Sequence, residues 1–163
     1  MNDVGCLEMD ECMRRMKSMV VKPQGGEIQL KPMIMETCAN LFLLYMCSIR
    51  FDYEDVAFKN MVRCFDEIFW EINQGYAVDF LPWLSPFYSS HMKKVESWAK
   101  SIRKYILEKV IDSRAEKLQQ HSEDDDDFTD ALLRSLSNEK NVSTDTIIFM
   151  LEDFLGGHSA IGE

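Results

Sequence analysis

Residues 147–162 read IIFMLEDFLGGHSAIG. Ile147, Leu151 and Phe154 fall at helical spacing, which predicts a helix with one face toward a core. Ser143 stands in front of it as a natural N-cap, and Asp145 lies near the positive end of the helix dipole. Gly156 and Gly157 then interrupt a segment that otherwise propagates well, each costing about 1 kcal/mol relative to alanine. Two accounts are open. The pair can mark a helix C-terminus or a tight helix crossing, or it can bring bare backbone close to a bulky planar ligand.

Working back along the chain, residues 128–136 predict a short helix, and residues 123–127 (EDDDD) an acidic, solvated loop. Five adjacent acids lack the alternating ligands and turn glycine of a calcium loop. A long helix is expected over 89–118, with Val95, Trp98, Ile102, Tyr105 and Ile106 on one face and Lys93, Lys94, Lys100, Arg103 and Lys104 around the other. Between Gly75 and Ser89 two prolines and a run of aromatics predict an apolar loop rather than a helix interior. Phe58, Met61, Phe65, Ile68 and Ile72 form the clearest amphipathic stripe, ending at Gly75. Two further helices are expected over 31–48, apolar on most sides with Pro32 in its first turn, and over 8–21, closed by Pro23 and Gly25-Gly26. The fold class is all-α: six helices and no strand signal.

The 163 residues are 46% hydrophobic and 11% aromatic, which excludes a disordered or low-complexity chain. Lys and Arg number 18 against 28 Asp and Glu, a net charge of −10 that argues against nucleic acid as a partner. Half of the excess belongs to the 123–127 run. The five cysteines (Cys6, Cys12, Cys38, Cys47, Cys64) form no CxxC pair and read as small buried thiols rather than as a disulfide framework or metal site. The acidic N-terminus does not read as a targeting segment. The longest apolar run, 41–47, is far short of the ~20 residues of a membrane span. No nucleophile elbow, phosphate loop or HExxH occurs, and His91, His121 and His158 stand apart.

The order of elements, RFDYED at 50–55, FDEIFWEINQG at 65–75, FLPWLSPFY at 80–88 and IIFMLEDFLGGHSAIG together resemble the middle of a microsomal cytochrome P450, of the insect Halloween group that makes ecdysteroids. By that resemblance the helices correspond to the family's D to H helices and the first half of its I helix, so the expected domain is a partial one over 1–163, truncated at both ends, with an acidic loop over about 119–127. The family's I helix carries a small residue, Gly, any residue, an acid and Thr; here Gly156, Gly157, His158, Ser159 and Ala160 stand there. The resemblance thus implies that Gly156 and Gly157 face the distal side of the haem. Ser159 and Ala160 occupy the positions of the catalytic acid–alcohol pair without matching it. Trp70, Phe87, Phe154 and Leu155 are implied to face substrate, and the 80–87 loop to touch a membrane surface.

What the resemblance implies for a full-length parent is a haem-thiolate monooxygenase at the endoplasmic reticulum membrane. It would use molecular oxygen and an NADPH-dependent reductase to oxidise a sterol of ecdysteroid biosynthesis. The family's ligand cysteine follows a Phe-x-x-Gly segment near the C-terminus, and no cysteine here follows such a segment. The C-helix haem contacts, the K-helix Glu–Arg pair, the sheet and the N-terminal anchor also have no counterpart, and the chain as given is expected to be inactive. A free-standing all-helical interaction protein is the alternative.

Overall fold

In the computed structural model, residues 2–20, 29–114, 127–137 and 143–159 are described, and every regular element among them is helical. Helix α1 spans Asn2–Val20, α2 Leu30–Cys47, α3 Val56–Asn73, α4 Ala77–Phe80 and α5 Ser89–Ile106. Helices α6, Phe128–Ser137, and α7, Thr144–Gly156, complete the described set. No strand occurs among the described residues, as expected.

Helix α2 lies at the centre because apolar residues surround most of it. Met35, Leu43 and Cys47 are buried in one core together with Phe58 and Met61 of α3, Ile106 of α5, and Ile148 and Leu151 of α7. Its buried polar groups are satisfied locally. The Thr37 hydroxyl donates to the Met33 carbonyl at 2.9 Å, and Asn40 both donates to and accepts from the Phe51 backbone at 2.9 and 3.0 Å. The Asn40 side chain therefore pins the link into α3. Helix α3 begins where Asp55 accepts from the Ala57 and Phe58 amides at 2.7 and 3.3 Å, a side-chain cap.

Several expectations are corrected. The 75–88 segment is helical in short pieces rather than a loop: after Gly75, at φ +65°, come α4 and a 3-10 turn over Pro82–Tyr88. Pro82 enters at the first position, where an amide is not needed, so the prolines bar an α-helix interior but not this tighter turn. Helix α1 starts at Asn2, ahead of position 8. Helix α5 runs into a π-helical turn, Leu107–Ile111, that the periodicity did not announce, and its expected extension past Arg114 lies outside the described residues. Ser143 precedes α7 but gives its amides no side-chain cap; its hydroxyl lies 3.2 Å from that of Thr146. Asp145 stands in the first turn of α7 as expected, and also pairs with Arg103 of α5 at 2.6 Å. Of the five thiols, Cys12, Cys47 and Cys64 are buried, whereas Cys38 is half-buried and Cys6 exposed.

The acidic run also departs from a purely solvated loop. Residues 123–126 lie outside the described residues, but the Asp127 side chain is only 8% exposed and pairs with Arg114 at 2.5 Å. Arg114 reaches Asp130 at 2.8 Å and donates to the Cys47 carbonyl, so one guanidinium joins the π-turned end of α5, the start of α6 and the end of α2.

Candidate functional site

Two helices build the site. Helix α7 turns Ile147, Ile148, Leu151 and Leu155 into the core, leaving Phe149, Glu152, Asp153 and Gly156 along its other side. Facing them, α3 presents Phe65, Ile68, Phe69 and Ile72. Together with Ser159 these residues line an open groove of about 300 Å³. Its walls are mainly hydrocarbon. Burial pushes the Glu152 carboxyl above its ordinary range, because the charged form loses water there.

The two glycines have different causes. A methyl placed on Gly156 would meet the Phe65 ring at 3.5 Å, an ordinary contact, and the bare residue lines the groove. On Gly157 it would sit 3.2 Å from the Phe154 carbonyl and 3.7 Å from Phe42 of α2. Gly157 thus answers to crowding at the end of the helix, where Gly157 and His158 amides bond three residues back at 3.2 and 3.3 Å. The account of bare backbone offered to a ligand stays available for Gly156 alone.

His158 is fully buried, its ring edge-on to Phe65 with centroids 5.2 Å apart. Nδ1 is held by the Leu155 carbonyl, while Nε2 has no partner among the described residues. Burial lowers its pKa, partly opposed by the Leu155 bond and by Asp66. The unfolded chain therefore takes up a proton that the folded chain resists, so stability is full above the ordinary histidine value of about 6.5 and falls as pH drops below it. Urea midpoints should decline between pH 7.5 and 5.5, and His158→Phe should flatten that decline; an equal slope in both proteins would assign the effect to other groups. Ser159 is 1% exposed, and its hydroxyl also lacks a partner among the described residues. An unmet buried hydroxyl costs about 1–3 kcal/mol.

Of the residues named from sequence, Gly156 and Ser159 come together in the groove. Leu155 is buried in the core, and Phe154 is partly exposed with its ring edge-on to Phe128 at 5.6 Å. Trp70 and Phe87 lie on the surface, Phe87 at 83% exposure. Ala160 lies outside the described residues. Phe65, Ile68 and Ile72 belong to the groove although their spacing marks them as core. The signal was the width of the apolar arc, since Phe69 extends it beyond what one packed neighbour covers. Glu11 and Arg14 do spell a Glu-x-x-Arg pair, bonded at 2.7 and 2.5 Å, but on the exposed side of α1.

Haem would find one suitable side here. Gly156 presents backbone without a side chain and Ser159 an unpaired hydroxyl, both at an apolar groove. Cys38, Cys47 and Cys64 do not suit an axial thiolate, because burial raises their pKa. Among the described residues no group of His, Cys, Asp and Glu is arranged to hold a metal ion.

A family model described as Cytochrome P450 matches residues 1–159. Cytochrome P450 307a1 of Drosophila melanogaster is 54% identical over 162 residues, which takes in 99% of this chain and 29% of that protein. The chain thus spans less than a third of this relative's length. No solved structure matches.

Proposed function

The chain belongs to the cytochrome P450 family, and on that footing we propose that it is a piece of a haem-thiolate monooxygenase that walls the distal side of the haem and one side of the substrate pocket. The groove between α3 and α7 carries this reading: hydrocarbon walls meet at Gly156, the residue with no side chain to keep a flat macrocycle away. Gly156 would lie toward the haem, with Gly157 turning the chain behind it; when bound, that group would supply oxygen activation. Within this chain the α3 and α7 side chains exclude water and orient an apolar substrate. Trp70, Phe87 and Phe154 would complete the pocket only once further chain closes over them, and Leu155 supports it from the core. Ala160 cannot donate a proton, so no relay through it is assigned; Ser159 is the polar group left at the acid–alcohol position.

For the substrate we favour a sterol of ecdysteroid biosynthesis, supported by the particular sequence resemblance and by the mainly hydrocarbon walls of the groove. Oxygen and an NADPH-dependent reductase are the remaining partners. In the full-length protein containing this chain, such a sterol should shift the haem absorption from low to high spin, and Gly156→Phe should abolish the shift by filling the groove. Spectra unmoved by any sterol of that series would overturn the substrate reading.

Location at the endoplasmic reticulum membrane is part of the same proposal. No helix among the described residues is long and apolar enough to cross a membrane. The 3-10 turn, however, exposes Trp83 and Phe87, with Phe80 just before it, a set suited to the interfacial zone of a bilayer. Trp83→Ser with Phe87→Ser should weaken co-sedimentation with phosphatidylcholine vesicles at least tenfold, given about 1.5–3 kcal/mol for fully burying a large apolar side chain. Undiminished binding would place the contact elsewhere.

A further inference from the structure

We propose that the Ser159 hydroxyl is the specificity-determining contact of the groove, pairing with a hydroxyl or ketone oxygen on an otherwise apolar, uncharged ligand. The inference rests on reading the groove as a substrate site and adds the chemical class of the substrate and the residue that selects it.

Three observations meet at this point. Phe65, Ile68, Ile72 and Phe149 offer hydrocarbon, and Ser159 is the single uncharged polar side chain among the described residues that line the groove. Its hydroxyl is 99% withdrawn from solvent with the rest of the residue, yet has no partner among the described residues. The hydroxyl turns about one χ1 bond with three staggered positions, so it can swing toward the groove that Ser159 lines. Such a group is poorly satisfied without a ligand and satisfied by one oxygen.

The second polar feature sets the charge of the ligand. Glu152 and Asp153 share the groove, and burial already disfavours the charged Glu152 carboxylate. A ligand carboxylate would meet the same loss of water that disfavours the Glu152 charge, with Asp153 beside it, so a fatty acid is a poor occupant where the matching alcohol is a good one. His158, the other residue with an unpartnered atom at this end, does not line the groove; its ring lies against Phe65.

The test is equilibrium dialysis with the full-length haem protein containing this chain and two sets of matched probes: cholesterol against its 3-deoxy analogue, and dodecanol against dodecane and dodecanoate. In the native protein the alcohol of each set should bind about tenfold more tightly than its partners, the scale of one neutral hydrogen bond. Ser159→Ala should bring that ratio to within about twofold while leaving the deoxy probes unchanged, and Ser159→Thr should restore it. The urea midpoint of Ser159→Ala should stay level or rise, because an unmet hydroxyl is removed; a fall would show a structural bond instead. A preference that survives Ser159→Ala, dodecanoate binding as tightly as dodecanol, or no preference in either set overturns the proposal. A preference seen only with dodecanol supports the Ser159 contact and overturns the sterol reading.

Discussion

Arg114→Ala should lower the stability of the chain by about 3–5 kcal/mol, the range for removing one partner of a buried ion pair. The arginine side chain is 6% exposed and that of Asp127 8%. The guanidinium bonds both Asp127 oxygens, at 2.6 and 2.5 Å, and Asp130 at 2.8 Å. Truncation would leave a carboxylate in a dry site with the Asp130 amide, 2.9 Å away, still holding it there. It would also free the Cys47 carbonyl at the end of α2. Most of the loss is thus the stranded charge rather than the net worth of the pair, so Arg114→Met combined with Asp127→Leu should recover much of it. The exposed pair Arg103–Asp145 is the control, its side chains 41% and 79% exposed. Breaking that pair with Arg103→Ala should cost under about 1 kcal/mol. Urea denaturation of the four proteins decides the matter, and equal small shifts for Arg114→Ala and Arg103→Ala would show that Asp127 is solvated after all.

The second large effect separates two residues of one stripe. Phe58→Ala should cost about 3–5 kcal/mol, since a fully enclosed aromatic leaves both lost transfer energy and a cavity. Phe58 is 0% exposed and packs on Phe51 and Tyr53, with ring centroids 5.8 and 6.3 Å away. Ile72 is 67% exposed on the same helix, and Ile72→Ala should stay within about 0.5 kcal/mol in this chain. Ile72→Ala is instead expected to weaken ligand binding in the full-length protein, because Ile72 lines the groove. Similar losses of stability for the two variants would mean that the stripe is uniformly buried and the groove closed.

That contrast shows how far periodicity reaches. The spacing of Phe58, Met61, Phe65, Ile68 and Ile72 predicted the helix and its apolar face, and both are present. It could not say where along the face a neighbour stops covering it. Phe58 and Met61 are enclosed in the core, whereas Ile68 and Ile72 line the groove. The glycine pair behaves alike: its helix cost is visible in the sequence, but Gly157 owes its place to Phe42 and the Phe154 carbonyl, residues that only packing and the turn geometry bring to it. Asp127 looked like the last of five solvated acids until Arg114 was found beside it.

By itself the sequence determined what depends on neighbours a few residues away. Those are the helical elements, set by the 3–4-residue recurrence of apolar side chains, the breaks at Gly75 and Pro82, and the family motifs that identify the chain. The tertiary structure decided which apolar face is core and which is groove, which acid is paired with Arg114, and which glycine lines the groove. Those outcomes turn on burial and pairing between residues far apart in the chain, such as Arg114 with Cys47 or Phe65 with Gly156, and no local periodicity encodes how far apart such partners end up.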